Sequence, residues 1–228
     1  LLHGALLIQI GLREGHFPVT DLFAFTILLS NLFLLAGLVI DLLRNAPILT
    51  VTTAPFALVG LLTAAAMGPM TGERAAKVTT IWSGMHVLAS LVSYGAFAVA
   101  FACGLLYLIQ QRQLKHGPQP TLLGIMPSLE TLYRLTIGGI SLGVLLLTAG
   151  ILIGYLYART TENSSQWRTD PKVILTTITW AAYLAVVLLS RVPSLRGRKT
   201  ALAAVVCFLL VVVTFWSTPF WSTFHQLR

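Results

Sequence analysis

Histidine is the residue type through which this chain could do chemistry, and two of its five histidines are predicted to lie at one edge of a helical bundle. His86 lies about six residues inside the outer end of its apolar stretch, roughly 9 Å deep at 1.5 Å per residue. His225 follows the last apolar stretch, at the same face. Taken alone, His86 is a satisfied structural histidine and His225 a terminal residue. Together, two neutral imidazoles could bind one iron from opposite sides and become the axial ligands of a haem.

The three other histidines have different predicted settings. His3 lies about 15 Å below the outer boundary, near the middle of the membrane, where an ionisable residue is a functional candidate by default. His16 lies in an outer loop, and His116 lies in a long cytoplasmic connection where solvent surrounds it. We therefore take His86 and His225 as the metal-ligand candidates and leave the role of His3 open.

The sequence lacks the motifs that would indicate an enzyme of a common class. The seven carboxylates are dispersed among loop ends, with no paired acid and base, and neither G-x-G-x-x-G nor G-x-x-x-x-G-K-[ST] occurs. Cys103 and Cys207 stand alone inside apolar stretches, without a C-x-x-C or C-x-x-C-H motif. The chain is therefore predicted to be neither a thiol oxidoreductase nor itself a c-type cytochrome, and both cysteines are interpreted as buried small hydrophobic residues.

The elements that must position these residues are membrane-spanning helices. Apolar residues make up 56% of the chain and charged residues 10%, and the mean hydropathy is +0.84. Because a spanning helix needs about 20 mostly apolar residues and lipid offers no partner to open sheet edges, we predict an all-α polytopic bundle that forms one transmembrane domain over residues 1–228. The seven visible apolar stretches are Leu1–Leu12, Asp21–Leu43, Pro47–Met67, Ile81–Ile109, Leu135–Leu156, Val173–Leu189 and Ala201–Trp216.

The first stretch predicts a longer protein. Leu1–Leu12 is too short to cross a bilayer alone, and the chain starts without Met. We therefore expect residues ahead of Leu1 and eight spans in the intact protein.

The net charge of +8 does not indicate a nucleic-acid partner, because the basic residues are scattered singly through loops. Their one cluster, Arg196–Lys199, lies in a compact loop beside a span, which is typical of a cytoplasmic face. This orientation places the loops containing Gly15–Phe17 and Trp167–Lys172, and the C-terminus, on the outer side.

One apolar stretch contains two G-x-x-x-G spacings, Gly139 with Gly143 and Gly150 with Gly154. Such spacings let helix backbones approach closely, so tight helix packing accounts for them. A flat cofactor lying beside the glycine face is the alternative.

Two segments carry local structural signals. Pro127–Leu135 is mildly amphipathic and predicts an interfacial helix before the glycine-rich span. Asp170 followed by Pro171 is typical of a helix start, because Asp caps helix N-termini and Pro is favoured at the first helical position.

Several segments, in order along the chain, together resemble the cytochrome c assembly protein family, which includes CcsA, CcmC and CcmF haem-handling proteins and HemX-like relatives. The likeness covers most of the chain from Gly15 onward. The matching segments are Gly15–Phe23, the W-x-x-x-H-V-x-x-S-x-x-x-Y helix Trp82–Tyr94, Met126–Leu132, and Gln166–Lys172 with Ile178–Trp180, which resembles the end of a tryptophan-rich haem-binding signature.

The resemblance implies a haem-handling membrane protein of cytochrome c biogenesis. It implies b-type haem bound non-covalently at the outer face of a bacterial inner membrane. His86 and His225 would be the iron ligands, Trp167 would stack on the macrocycle, and Asp170 of the signature loop would be a further cofactor-binding residue. The implied partners are other membrane or periplasmic cytochrome c assembly proteins, and an apocytochrome c supplying C-x-x-C-H thiols. If the protein is active as an enzyme, it would be part of a haem lyase system and non-catalytic alone.

Three departures from the family pattern favour an alternative. Asn163 and Thr169 replace two signature tryptophans, Leu188 or an apolar neighbour stands where haem-transporting members carry an intramembrane histidine, and Arg196–Lys199 resembles the HemX-like branch. The alternative is a HemX-like non-catalytic subunit or regulator that has lost haem ligation. Small-molecule transport is a third hypothesis, although no internal repeat supports it.

Overall fold

Six helices follow one another along the chain in the computed structural model, which describes residues 4, 5, 9, 22–44, 48–67, 81–116, 126–159 and 169–221. The predicted all-α fold is confirmed, because all regular structure within these residues is helical. Apart from residues 4, 5 and 9, the Leu1–Leu12 stretch lies outside the described residues. The helices are α1 (Leu22–Arg44), α2 (Leu49–Met67), α3 (Ile81–His116), α4 (Leu129–Arg159), α5 (Pro171–Leu189) and α6 (Arg198–Trp221), with a 3₁₀ turn Pro193–Leu195 before α6.

The helices form a polytopic membrane bundle, as the apolar stretches predict. Each of α1 to α5 is long and apolar enough to cross a membrane, and α6 contains the predicted last span. The amphipathic stretch predicted as a separate interfacial helix is instead the first part of α4, which starts at Leu129 and runs on into the span. No Pro or Gly stands between Leu129 and Arg134 to end the helix, so the backbone hydrogen bonding continues.

Helices α3 and α4 form the central pair of the bundle, and the glycines of α4 lie on α3. A Cβ built on Gly139 would stand 2.9 Å from the carbonyl oxygen of Ala96, and one on Gly143 would overlap the ring of Phe97. The predicted packing role of the G-x-x-x-G spacings is therefore confirmed. At Gly139 the backbone of α3 leaves no room for a side chain, and at Gly143 the Phe97 ring fills that space.

Aromatic and hydroxyl groups join α5 and α6 to this pair. The Tyr183 ring of α5 stacks on Phe97 of α3, with centroids 3.9 Å apart and planes 2° from parallel. Thr179 of α5 and Thr214 of α6 share a hydrogen bond of 3.1 Å between their hydroxyl oxygens. The first half of α5 therefore lies beside the last part of α6.

Asp41 is a carboxylate near the end of α1 that is only 6% exposed. Its two oxygens accept hydrogen bonds from the first backbone N–H groups of α2, at 3.0 Å from Leu49 and 2.7 Å from Thr50. An unpaired carboxylate would be costly here, but the start of a helix supplies unpaired donors and a favourable dipole. Asp41 thus caps the neighbouring helix and joins α1 to α2.

We predict that Asp41→Ala lowers the free energy of unfolding by about 1–3 kcal/mol, because it leaves two buried N–H groups without acceptors. Asp41→Asn should cost less, since its amide oxygen still accepts one bond. The measurement is thermal unfolding in detergent micelles.

Glu130→Ala is the matched control for the loss of a carboxylate. Glu130 pairs with Arg134 at 2.6 Å on the surface, with side chains 66% and 76% exposed, and exposed pairs contribute less than about 1 kcal/mol. Equal losses for the two alanine variants would contradict the capping role of Asp41.

Candidate functional site

His86 is the sixth residue of α3 and lies half-buried against α4. Its Nδ1 atom is 2.7 Å from the backbone carbonyl oxygen of Gly150. The position matches the depth along the helix that the sequence predicts. The structure therefore places this histidine between two helices, with a hydrogen bond that joins them.

The glycine face of α4 makes room for the imidazole. A Cβ built on Gly154 would stand 2.7 Å from Nδ1 and 2.8 Å from Cε1 of His86. One turn earlier, a Cβ on Gly150 would stand 3.0 Å from the hydroxyl oxygen of Ser90, on α3. The second G-x-x-x-G spacing thus lies against His86 and Ser90, and the ring of His86 fills the space beside Gly154.

The hydrogen bond to the Gly150 carbonyl indicates which ring nitrogen of His86 carries the proton. A carbonyl oxygen can only accept, so Nδ1 must carry the hydrogen and donate it. In the neutral imidazole the lone pair then lies on Nε2, the atom that can bind a metal. Metal-ligating histidines commonly donate their other N–H to a backbone carbonyl in this way. A histidine with a purely structural role would be satisfied by the same bond.

A large aromatic side chain is exposed one turn from His86. Trp82 lies at the i−4 position of α3, which shares a side with His86, and is 52% exposed. Met85 and Leu88 are also exposed, but they lie on other sides of α3. A flat apolar molecule beside His86 could therefore stack on the ring of Trp82.

Asp170 starts α5, as the sequence predicts. It is the N-cap residue, is fully buried, and accepts a hydrogen bond of 2.8 Å from the backbone N–H of Lys172. Pro171 follows as the first helical residue. The helix-start interpretation is confirmed, and the predicted cofactor-binding role of Asp170 stays a prediction.

The topology brings several predicted site segments to one end of the bundle. His86, near the start of α3, contacts Gly154, near the end of α4. The chain then enters α5 at Asp170, and Thr179 of α5 bonds Thr214 of α6. The start of α3, the end of α4, the start of α5 and the end of α6 therefore lie at the same end.

Two of the four predicted site residues, Trp167 and His225, lie outside the described residues, and so do His3 and His16. Within the described segments, no three His, Cys, Asp or Glu side chains are grouped so that they could hold a metal ion. Of the predicted iron ligands, the structure thus describes His86 alone.

Sequence reasoning missed two polar partners in the apolar bundle. The Gly150 carbonyl is one, and the glycine spacing is its only sequence signal, because every residue carries a carbonyl. The other is Thr148, whose hydroxyl accepts a 2.8 Å hydrogen bond from the indole N–H of Trp180. That bond explains how a tryptophan is accommodated well inside α5.

Known proteins resemble the chain over most of its length. The family model described as cytochrome c assembly protein matches residues 19–225. The cytochrome c biogenesis protein CcsA of Prochlorococcus marinus (strain MIT 9303) is 26% identical over 232 residues, covering 89% of this chain and 73% of the relative.

Two further relatives carry the same name. CcsA of Synechococcus sp. (strain CC9902) is 27% identical over 228 residues, covering 89% of this chain and 75% of the relative. CcsA of Guillardia theta is 25% identical over 228 residues, covering 92% and 75%. No solved structure matches the chain significantly. With a family match over nearly the whole length and a helical membrane bundle, the chain belongs to the cytochrome c assembly protein family.

Proposed function

We propose that this protein binds b-type haem non-covalently at the outer face of a bacterial inner membrane and presents it to partner proteins of cytochrome c assembly. In this proposal His86 and His225 would hold the haem iron, Trp167 would stack on the macrocycle, and Asp170 would hold the loop before α5. The observation that carries the proposal is the 2.7 Å bond between His86 Nδ1 and the Gly150 carbonyl.

The described residues fit a haem ligand in three respects. The bond to Gly150 orients the imidazole and leaves its lone pair on Nε2. The exposed ring of Trp82 shares a side of α3 with His86 and could stack on a bound macrocycle. The end of α6 lies at the same end of the bundle as His86, and His225 follows that helix in sequence.

Each protein group has a separate task in this proposal. His86 binds iron, Gly150 holds the proton on Nδ1, and buried Asp170 fixes where the preceding loop enters α5. Bound haem would supply the porphyrin to which the thiols of a C-x-x-C-H motif become attached. Because the chain has no such motif, the thiols must come from a partner such as an apocytochrome c. The CcsA names of the relatives support this assignment to cytochrome c biogenesis.

We predict that the protein, purified in mild detergent from cells that make haem, shows a Soret band and a b-type pyridine haemochrome. The double variant His86→Ala with His225→Ala should lose at least about tenfold in haem affinity, because even the outer-shell partners of metal ligands contribute about 10–100-fold. His86→Ala alone should give a high-spin spectrum that added imidazole returns to low spin.

His116→Ala is the control, since the predicted orientation places His116 on the cytoplasmic side. It should leave the Soret band unchanged. Wild-type protein without haem, or full haem retention in the double variant, would overturn the proposed ligation. A stable partner co-purifying without haem would instead support the non-ligating alternative.

The proposed orientation has its own test, which uses two exposed positions at opposite ends of α5. Thr169 stands just before this helix and Ser194 lies in the 3₁₀ turn after it. We predict that Thr169→Cys reacts with a membrane-impermeant maleimide in spheroplasts, whereas Ser194→Cys reacts only after permeabilisation. Native Cys103 and Cys207 are buried and should give little background. The reverse labelling pattern would place His86 on the cytoplasmic side.

A further inference from the structure

We infer that Gly150 and Gly154 are positioning residues for His86, and that together they select Nε2 as its metal-binding atom. Gly150 supplies the carbonyl that takes the Nδ1 hydrogen, and Gly154 leaves that carbonyl uncovered. The ligand role of His86 rests on the proposed function, whereas the hydrogen bond and the tautomer it selects rest on the geometry of α3 and α4.

Gly154 matters because of the direction in which helical side chains point. Each Cα–Cβ bond tilts toward the helix N-terminus, so a residue covers the turn before it. Gly154 stands four residues after Gly150, and a side chain there would lie over the Gly150 carbonyl. The Cβ built on Gly154 would be only 2.7 Å from Nδ1 of His86. Even alanine at this position must displace the imidazole from the carbonyl.

Gly150 has a different task. A Cβ on Gly150 would meet the hydroxyl oxygen of Ser90 at 3.0 Å, so this glycine sets how closely α3 approaches α4. The Ser90 hydroxyl donates to the His86 carbonyl oxygen at 2.8 Å, within α3. A side chain at position 150 would press on the Ser90 hydroxyl, so that either this hydroxyl or α3 would have to move away from α4. One glycine therefore controls the helix distance, and the other controls access to the carbonyl.

The hydrogen bond from His86 to the Gly150 carbonyl would change how strongly the imidazole binds iron. An imidazole that donates Nδ1–H to a carbonyl is a more basic ligand through Nε2, and this stabilises ferric over ferrous iron. Loss of the acceptor should allow the Nε2–H tautomer, which cannot bind a metal through Nε2. The glycine pair would thus affect both haem affinity and reduction potential.

The test compares Gly154→Ala with two alanine variants of the same helix. Gly138→Ala is the matched control, because a Cβ there meets nothing within 4 Å. Gly143→Ala is the packing control, since a Cβ there would overlap the Phe97 ring on α3 without contacting His86. Thermal unfolding in detergent measures the packing loss of each variant.

The first readout needs no haem. Protein labelled with ¹⁵N-histidine reports the tautomer of each ring by NMR, and the His86 signal is assigned as the one missing from His86→Gln. We expect the Nδ1–H tautomer in wild type, Gly138→Ala and Gly143→Ala, and a shift toward the Nε2–H tautomer in Gly154→Ala. The second readout is haem affinity and midpoint potential, with affinity expected to fall about 10–100-fold in Gly154→Ala only.

The outcomes separate this inference from the proposed function. Wild-type protein that has the Nδ1–H tautomer but binds no haem overturns the proposed function and leaves the positioning role intact. Wild-type protein that has the Nε2–H tautomer overturns the positioning role even if Gly154→Ala fails to fold. Haem binding with the same tautomer, affinity and potential in wild type and Gly154→Ala overturns it as well.

Discussion

The close approach of α3 and α4 is the constraint on which the rest of this structure depends. Helices in lipid gain little from the hydrophobic effect when they associate, so contact area and interhelical hydrogen bonds must hold them together. Glycines of α4 allow this close contact, because Gly139 lies against the Ala96 carbonyl and Gly143 lies against the Phe97 ring. Because the backbones are this close, the His86 imidazole reaches the Gly150 carbonyl with no intervening group. Helix α5 then packs on the pair through the ring of Tyr183.

Some polar side chains inside the bundle have hydrogen-bond partners on neighbouring helices. The Asp41 carboxylate accepts from the first N–H groups of α2, and the Trp180 indole donates to Thr148 on α4. Both pairs are hydrogen bonds between helices and act as structural links. His86 differs in kind, because its imidazole uses Nδ1 for the link and has a second, chemically distinct ring nitrogen. The same interhelical bond can therefore hold the fold together and prepare a ligand.

Hydropathy predicts where the chain crosses the membrane, and local sequence signals predict some helix ends. The Asp170–Pro171 start of α5 was predictable because capping and the fixed φ of proline are local effects. Helix α3 runs to His116, beyond the predicted end at Ile109, because polar residues past the apolar region continue the backbone hydrogen bonds. Hydropathy therefore marks the apolar part of a helix and not its end. The partner of Asp41 could not be predicted, because a backbone N–H carries no side-chain signal.

At the site, too, residue types could be read from the sequence, whereas the contacts between helices could not. His86 could be identified as a candidate from its residue type and depth, but the ring nitrogen available to a metal depends on a carbonyl 64 residues away along the chain. A histidine that only filled space could lie beside any of the α4 glycines that contact α3. This one lies at the end of the bundle where α4 leads into α5 and where α6 ends. The hydrogen bond fixes the tautomer at this end of the bundle, and this is the arrangement that the proposed ligation requires.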